Sequence, residues 1–132
     1  QEQKELLLKD LCARLPYGVK VKLGDNPNVF DLEYRIKFAV MYGNSDKLED
    51  ILDITNIKPY LFPLSSMTEE QYEELWKELD KDRRETLDRA NTGQKCANPY
   101  TNVTDWYNKN HFDYRGLIEK GLAIDATGLN IY

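Results

Sequence analysis

The stretch from Phe30 to Tyr42 constrains the fold more than any other part of the sequence. Its even-numbered residues are all apolar or aromatic, and most residues between them are charged. Alternate side chains of a β-strand point to opposite faces of a sheet. The pattern therefore predicts one long amphipathic strand whose core face carries Phe30, Leu32, Tyr34, Ile36, Phe38, Val40 and Tyr42. Such a strand is long for a small domain, so we expect a bend, a bulge near Ala39 or a projecting edge that is open to a partner strand.

The composition indicates one globular domain over residues 1–132. The chain has 41% hydrophobic and 31% charged residues, which is typical of a protein with a core and a hydrated surface. The composition changes near Leu64 from β-rich to helical. We therefore expect a layer of helix and sheet over 1–64, and a helical layer with a docked tail over 65–132.

Charge and cysteine usage suggest a cytoplasmic protein that has no contact with membranes. No apolar run is long enough to cross a bilayer, and the first residues do not resemble a signal peptide. Two cysteines are too few for a disulfide framework, so we expect Cys12 to be a buried thiol and Cys96 to be a free thiol in a polar loop. The net charge of −5 argues against a general nucleic-acid binder.

The first half of the chain contains signals for one helix and several strands. Apolar spacing predicts a helix over 2–15, ended by Pro16 and Gly18, and alternation predicts a strand over 19–23. Residues 47–55 fit either a helical turn or a strand, and we favour a strand that continues near Ile57. Two prolines, Pro59 and Pro63, predict that the segment between them is an edge strand or a connector.

The second half of the chain is helical. Thr68 with Gln71 forms a capping-box pattern that opens a helix over 68–91, which Asn91-Thr92-Gly93 ends. Thr104 is placed to cap a second helix over 103–110. A helical turn over 117–120 ends at Gly121, and residues 122–126 are apolar enough to dock as an extended tail.

Together these elements predict an α+β fold. An N-terminal helix precedes a small, twisted antiparallel sheet of three or four strands, or a partial barrel, and the C-terminal helices cover one face. Trp76 and Trp106 are the expected lids over that face, because an apolar sheet face must be covered.

His111, the one histidine of the chain, is the first candidate for chemistry. Beside Asp105 or Asp113 it could act as a general base that a carboxylate orients. Cys96 with His111 is a conceivable metal pair, but the chain has no Cys-x-x-Cys and no glycine-rich phosphate loop. We therefore expect a local structural role for His111, no catalytic residues, no metal and no cofactor.

Aromatic residues crowd the second half of the chain. Aromatic side chains and arginine are favoured at protein interfaces, and they also fill contacts between helices and sheets. Both interpretations stay open for the candidate binding residues Trp106, Tyr107, Phe112, Tyr114 and Arg115.

Three stretches resemble the shared blocks of a family of small uncharacterised proteins from gut anaerobic bacteria, their phages and their mobile elements. They are ELLLKDLCARLPYG at 5–18, IKPYLFPLSSMTEE at 57–70 and DWYNKNHFDYRGLIEKGLA at 105–123. The resemblance implies an intracellular, phage-associated setting. It supplies no activity and no catalytic residues.

Three functions remain as hypotheses. The first is a non-enzymatic protein-interaction or regulatory accessory protein of a mobile element or phage, with a protein partner. The second is a small hydrolase-like enzyme that uses His111 with Asp113 or Asp105. The third is weak nucleic-acid binding through a basic sheet face that carries Lys20, Lys22, Arg35 and Lys37.

Overall fold

The computed structural model describes the backbone of residues 2–42, 57–93 and 100–132, and the side chains of these residues except 38–42. Within this part of the chain, helices and a small mixed sheet form an α+β fold, so the fold class expected from the sequence is confirmed. The helices are α1 (Glu2–Arg14), α2 (Leu32–Tyr42), α3 (Glu69–Asn91) and α4 (Thr101–Lys109). The strands are β1 (Lys20–Leu23), β2 (Phe30–Asp31), β3 (Ile57–Pro63), β4 (Phe112–Asp113) and β5 (Ile124–Asp125).

The sheet is mixed, whereas the sequence predicted an antiparallel one. Strand β1 pairs antiparallel with β2 and with β3, but β4 and β5 both run parallel to β3. The chain leaves β3 through α3 and α4 before β4 begins, and a crossover of this kind delivers a parallel strand. The expected tail forms β5, so strands from both halves of the sequence meet on β3.

Strand β3 is the centre of the sheet, and the prediction of an edge or connector from its prolines was wrong. It pairs with β1 over 57–59 and with β5 and β4 over 60–63. Pro59 is the last residue paired with β1, and Pro63 is the last residue paired with β4. A missing N–H at the end of a ladder interrupts no further pairing, which explains why both prolines are accepted.

The long strand predicted over 30–42 is also wrong, because only Phe30 and Asp31 are extended before α2 begins. The carboxylate of Asp31 accepts the backbone N–H groups of Glu33 at 3.0 Å and Tyr34 at 3.4 Å, which starts the helix.

Leu32 is buried and Ile36 packs partly against the core, since residues four apart share a helix face. Tyr34, expected in the core, is 70% exposed. The side chains expected inside at Phe38, Val40 and Tyr42, and the bulge near Ala39, lie outside the described side chains.

The main core lies between α1, α2 and the sheet. Its buried members are Leu7, Leu11, Val19, Val21, Leu32, Ile57, Leu61, Leu117 and Ala123. The buried positions of α1 are 7, 10, 11 and 14, so Cys12 points away from the core and is exposed. The prediction of a buried Cys12 thiol was therefore wrong. Cys96 and the strand favoured over 47–55 lie outside the described residues.

Helix α3 begins as the sequence predicted. Thr68 accepts the N–H of Gln71, and the Gln71 side chain accepts the N–H of Thr68 in return, so the capping box is confirmed. The helix ends at Asn91, before Gly93 with its φ of 77°. Trp76, however, is 64% exposed and does not cover the sheet, in contrast to the predicted lid.

Helix α4 begins at Thr101, and its start is capped from outside the helix. The carboxylate of Asp82, in the middle of α3, accepts the N–H of Asn102 at 2.8 Å and the N–H of Val103 at 2.9 Å. Asp82 is buried, so this contact fixes α4 against α3. The prediction that Thr104 caps the helix was wrong, because a distant carboxylate satisfies these N–H groups.

Candidate functional site

The residues that the sequence singles out lie around the end of α4, strand β4 and the following turn. His111 stands two residues after α4 with a φ of 63°, a left-handed conformation that glycine and asparagine adopt more easily. Its N–H donates to the carbonyl of Asn108, and its own carbonyl accepts the N–H of Phe62 at 2.8 Å. The backbone of His111 therefore joins the end of α4 to β3.

The imidazole of His111 is a packing group. It stacks on the ring of Tyr132, with centroids 3.7 Å apart and planes 12° apart. Burial, followed by the positive charges of Arg14 and Lys20, lowers the pKa of His111 to about 4. Its Nδ1 is buried and has no hydrogen-bond partner among the described residues. A histidine with this pKa is a weak general base near pH 7, since an efficient base has a pKa close to the working pH.

The carboxylate of Asp113 caps the next turn. Its Oδ1 accepts the N–H of Leu117 at 2.8 Å, and its Oδ2 accepts the N–H of Ile118 at 2.9 Å. The turn ends as predicted at Gly121, which has a φ of 73° and donates to the carbonyl of Ile118. Asp113 is buried and both of its oxygens are used, so it holds the chain between β4 and the turn.

Asp105 is exposed on α4. It lines a shallow hollow of about 160 Å³, and the other lining residues are Tyr17, Glu78, Asn102, Trp106 and Lys109. Neither His111 nor Asp113 lines this hollow. Among the described residues, the Nδ1 of His111 has no hydrogen-bond partner, and both oxygens of Asp113 accept backbone N–H groups, so neither carboxylate orients this nitrogen.

Arg115 belongs to a buried ion cluster with two residues of α1. The Nε of Arg14 lies 3.0 and 2.9 Å from the two carboxylate oxygens of Asp10, and Nη1 of Arg115 lies 2.7 Å from Oδ1 of the same carboxylate. Asp10 and Arg14 are fully buried. A second nitrogen of Arg14 donates to the carbonyl of Phe112. The cluster thus ties α1 to β4 and to the residues that follow it.

The ring of Tyr114 lies against the two arginines of this cluster. The guanidinium carbons of Arg14 and Arg115 lie 5.4 and 4.5 Å from the ring centroid of Tyr114, and Tyr107 stacks on the same ring at 5.2 Å. Cation–π contacts of this kind stabilise both arginines. Tyr107, Tyr114 and Arg115 are half-buried, so little of them is open to a partner.

Trp106 and Phe112 fill the space between α4 and the sheet. Their rings stack with centroids 5.5 Å apart, and Trp106 is only 7% exposed. The indole N–H of Trp106 donates to a carboxylate oxygen of Glu74 at 3.3 Å. Of the two interpretations left open for the aromatic residues, this geometry favours core packing, and Trp106 lies where a lid was expected.

Three further residues organise this region and were not among the residues predicted from the sequence: Asp10, Arg14 and Tyr132. Asp10 and Arg14 are four apart and share the apolar stripe of α1 with Leu7 and Leu11, and that spacing was a readable signal of a buried pair. The hydroxyl of Tyr132 accepts the N–H of Lys20 at 2.8 Å and donates to the carbonyl of Tyr60 at 2.7 Å. Burial raises the pKa of Tyr132 to about 12. No local pattern in the sequence signals this contact.

Large apolar side chains remain exposed on one side of α3. Residues 72, 76, 79, 83 and 87 share this side at helical spacing, and we call Tyr72, Trp76, Leu79, Arg83 and Leu87 the α3 face. Tyr72 is 48% exposed, Trp76 is 64% exposed and Leu87 is 58% exposed. A hollow of about 310 Å³ lies beside the face, lined by Leu79, Asp82, Arg83, Thr86, Leu87 and Tyr100.

The four basic residues of the nucleic-acid hypothesis do not share a sheet. Lys20 and Lys22 lie on β1, but Arg35 and Lys37 lie on α2. Lys37 forms an exposed ion pair with Glu33 at 3.0 Å. Only two of the four basic residues, Lys20 and Lys22, therefore lie on the sheet.

Further properties of the described residues concern membranes and metals. Residues 2–42, 57–93 and 100–132 contain no helix with the length and apolar content that crossing a membrane requires. The same part of the chain contains no group of three or more histidine, cysteine or carboxylate side chains placed to hold a metal ion. Comparison of the chain with models of protein families, with curated proteins and with solved structures gives no match.

Proposed function

We propose that this protein is a non-enzymatic interaction module that binds a protein partner through the α3 face. The observation that carries the proposal is the exposure of Trp76, Tyr72 and Leu87 on one side of a capped helix. Burial of these side chains in an interface is favourable. Full burial of a large apolar side chain contributes roughly 1.5–3 kcal/mol. Tryptophan and tyrosine also dominate the residues that carry binding energy in interfaces.

The roles of the candidate catalytic residues support this proposal over the enzyme hypothesis. Asp113 uses both carboxylate oxygens on backbone N–H groups, and His111 packs as a neutral ring against Tyr132. Asp105 lines a different part of the surface. Asp113 could reach a substrate only if the turn after β4 opened, because its carboxylate is buried and both oxygens are bonded to that turn.

Charge supports a protein partner over a nucleic acid. The net charge is −5, and the first half of α3 is strongly acidic, with Glu69, Glu70, Glu73 and Glu74 within two turns. Phosphate groups are repelled by such a surface. The resemblance to small proteins of bacterial mobile elements and phages suggests that the partner belongs to the same cytoplasmic setting, and this remains a prediction.

The test is affinity capture from the lysate of a gut anaerobic bacterium. Wild-type protein is compared with a double variant, Tyr72→Ala with Trp76→Ala. We expect the double variant to lose the captured partner while it keeps the wild-type circular dichroism, because exposed side chains contribute little to folding.

The matched control is Tyr34→Ala, which removes an exposed aromatic side chain from α2 and should leave capture unchanged. Repeated failure of the wild-type protein to retain any partner, a tagged second copy of this chain included, or equal capture by the double variant, would contradict the proposal.

A further inference from the structure

The charges along α3 divide the helix into unlike halves. Between 69 and 80 the helix carries six carboxylates and one lysine. Between 81 and 91 it carries four basic and three acidic residues. Two copies of α3 that run in opposite directions therefore place the acidic half of each beside the more basic half of the other.

The exposed flank of α3 shows this complementarity residue by residue. Glu73, Lys77, Asp80 and Arg84 follow one another at spacings of four, three and four, so they share one side of the helix, next to the α3 face and away from Asp82 and α4. All four are exposed. Their charges alternate along the helix, from negative at Glu73 to positive at Arg84. When a second copy runs in the opposite direction, each of these charges therefore lies beside one of opposite sign.

A single antiparallel register satisfies all four residues. When the two-fold axis passes between Glu78 and Leu79, Glu73 of one copy lies opposite Arg84 of the other, and Lys77 lies opposite Asp80. Each contact occurs twice because the arrangement is symmetric. When two helices pack through the same face, like flanks meet if the helices are antiparallel, and unlike flanks meet if they are parallel. Pairing of this flank with itself therefore requires the antiparallel direction.

The apolar residues fit the same register. Trp76 of one copy then lies at the level of Lys81 of the other, between Leu79 and Arg83. These two residues border the hollow of about 310 Å³ beside the face. The indole ring can enter this hollow and contact the guanidinium of Arg83, an arrangement that favours both apolar burial and a cation–π contact.

From this fit we infer that the α3 face binds a second copy of this chain, as an antiparallel two-fold dimer in which Trp76 of each copy occupies the hollow beside Arg83 of the other. The inference rests on the proposed function, because it names the partner of the same face. Interfaces of the standard size, roughly 1,600 Å², range in affinity from micromolar to picomolar. One helix face buries less area, so we expect the dimer to form at micromolar concentrations.

Sedimentation equilibrium between about 1 and 200 µM covers these concentrations and tests the inference. The wild-type protein should change from monomer to dimer over this range. Trp76→Ala should stay monomeric, and the control Tyr34→Ala should associate like the wild type. A wild-type protein that is monomeric at every concentration would overturn the inference, and so would a Trp76→Ala variant that still associates.

Charge reversal tests the register. Glu73→Arg and Arg84→Glu should each weaken self-association about tenfold, because like charges then oppose each other across the interface. A mixture of the two variants should associate as a heterodimer, since every opposed pair again has unlike charges. Failure of the mixture to associate more strongly than either variant alone would overturn the antiparallel register.

The outcomes separate this inference from the proposed function. A monomeric protein that still captures a different protein in a Trp76-dependent manner refutes the dimer and supports the interaction module. A monomeric protein that captures nothing refutes both.

Discussion

The ring of Tyr132 stacks on the imidazole of His111, with centroids 3.7 Å apart. The hydroxyl of Tyr132 stands between the N–H of Lys20 and the carbonyl of Tyr60. Pairing between β1 and β3 ends at Val21 and Pro59, so the hydroxyl continues the connection one position beyond the ladder. The histidine that first suggests catalysis thus belongs to the packing that holds the strands together.

The pKa of His111 makes folding sensitive to moderate acid. The pKa is about 4 in the folded protein and 6.5 in the unfolded chain, so the unfolded chain binds the proton first as the pH falls. The neutral ring of His111 therefore makes its full contribution to the free energy of unfolding above pH 6.5. This contribution is lost as the pH falls from 6.5 to 4. Because the ring is partly exposed, we expect this loss to be about 1–2 kcal/mol, less than the full shift implies.

Denaturant unfolding at pH 7.5 and 4.5 measures this loss. The variant His111→Asn accepts the left-handed backbone and does not titrate. It should lose less stability than the wild type between the two pH values. Equal losses in both proteins would show that His111 does not cause the pH dependence.

The hydroxyl of Tyr132 should contribute to stability separately from its ring. Tyr132→Phe keeps the stacking and leaves the Lys20 N–H and the Tyr60 carbonyl without this partner, so we expect the free energy of unfolding to fall by about 1–3 kcal/mol. Tyr34→Phe removes an exposed hydroxyl on α2 and should change it by less than about 0.5 kcal/mol. Chemical denaturation of both variants gives the comparison, and equal effects would contradict the bridging role.

The charge of Asp10 should be essential to folding. Asp10→Asn keeps the shape of the side chain but leaves Arg14 buried without its counter-charge, and breaking a buried pair in this way costs about 3–5 kcal/mol. The control Glu33→Gln breaks the exposed ion pair with Lys37 and should cost at most about 0.5 kcal/mol. Thermal unfolding of both variants measures the difference. A small shift for Asp10→Asn would mean that the cluster does not hold α1 to β4.

Asp82 should anchor α4 to α3. Asp82→Ala removes the acceptor for the N–H groups of Asn102 and Val103, so we expect a loss of about 1–3 kcal/mol together with faster amide exchange at the start of α4. Asp88→Ala, an exposed acidic residue on the same helix, should change stability by less than about 0.5 kcal/mol. An unchanged rate of amide hydrogen exchange at Asn102 in Asp82→Ala would contradict the capping role of Asp82.

The features that the sequence predicts correctly are those set by near neighbours. The capping box at Thr68 and the turn that ends at Gly121 depend on residues within five positions, so their patterns are readable. The alternation over 30–42 misled because Leu32 and Ile36 satisfy a helical spacing as well as a spacing of two. The helix is favoured because the carboxylate of Asp31 caps its start.

The contacts that define the candidate region are distant in sequence and could not be predicted from local patterns. Arg115 reaches Asp10 across 105 positions, and Tyr132 reaches Lys20 across 112. The sequence identified the aromatic cluster and His111, but burial decides whether such residues pack or bind, and burial depends on those distant contacts. Trp76 shows the same limit, because the sequence predicted a lid over the sheet and the side chain is 64% exposed.

The fluorescence of Trp76 reports whether a second copy covers the α3 face. The chain has two tryptophans, so Trp106→Phe leaves Trp76 as the reporter and keeps a ring to stack on Phe112. Acrylamide quenching is measured as the protein concentration rises from about 1 to 200 µM, the range in which the dimer is expected to form. We expect strong quenching in dilute solution, then a blue shift and protection as the α3 face meets a second copy. Emission that stays fully quenchable and unshifted at every concentration would contradict this expectation.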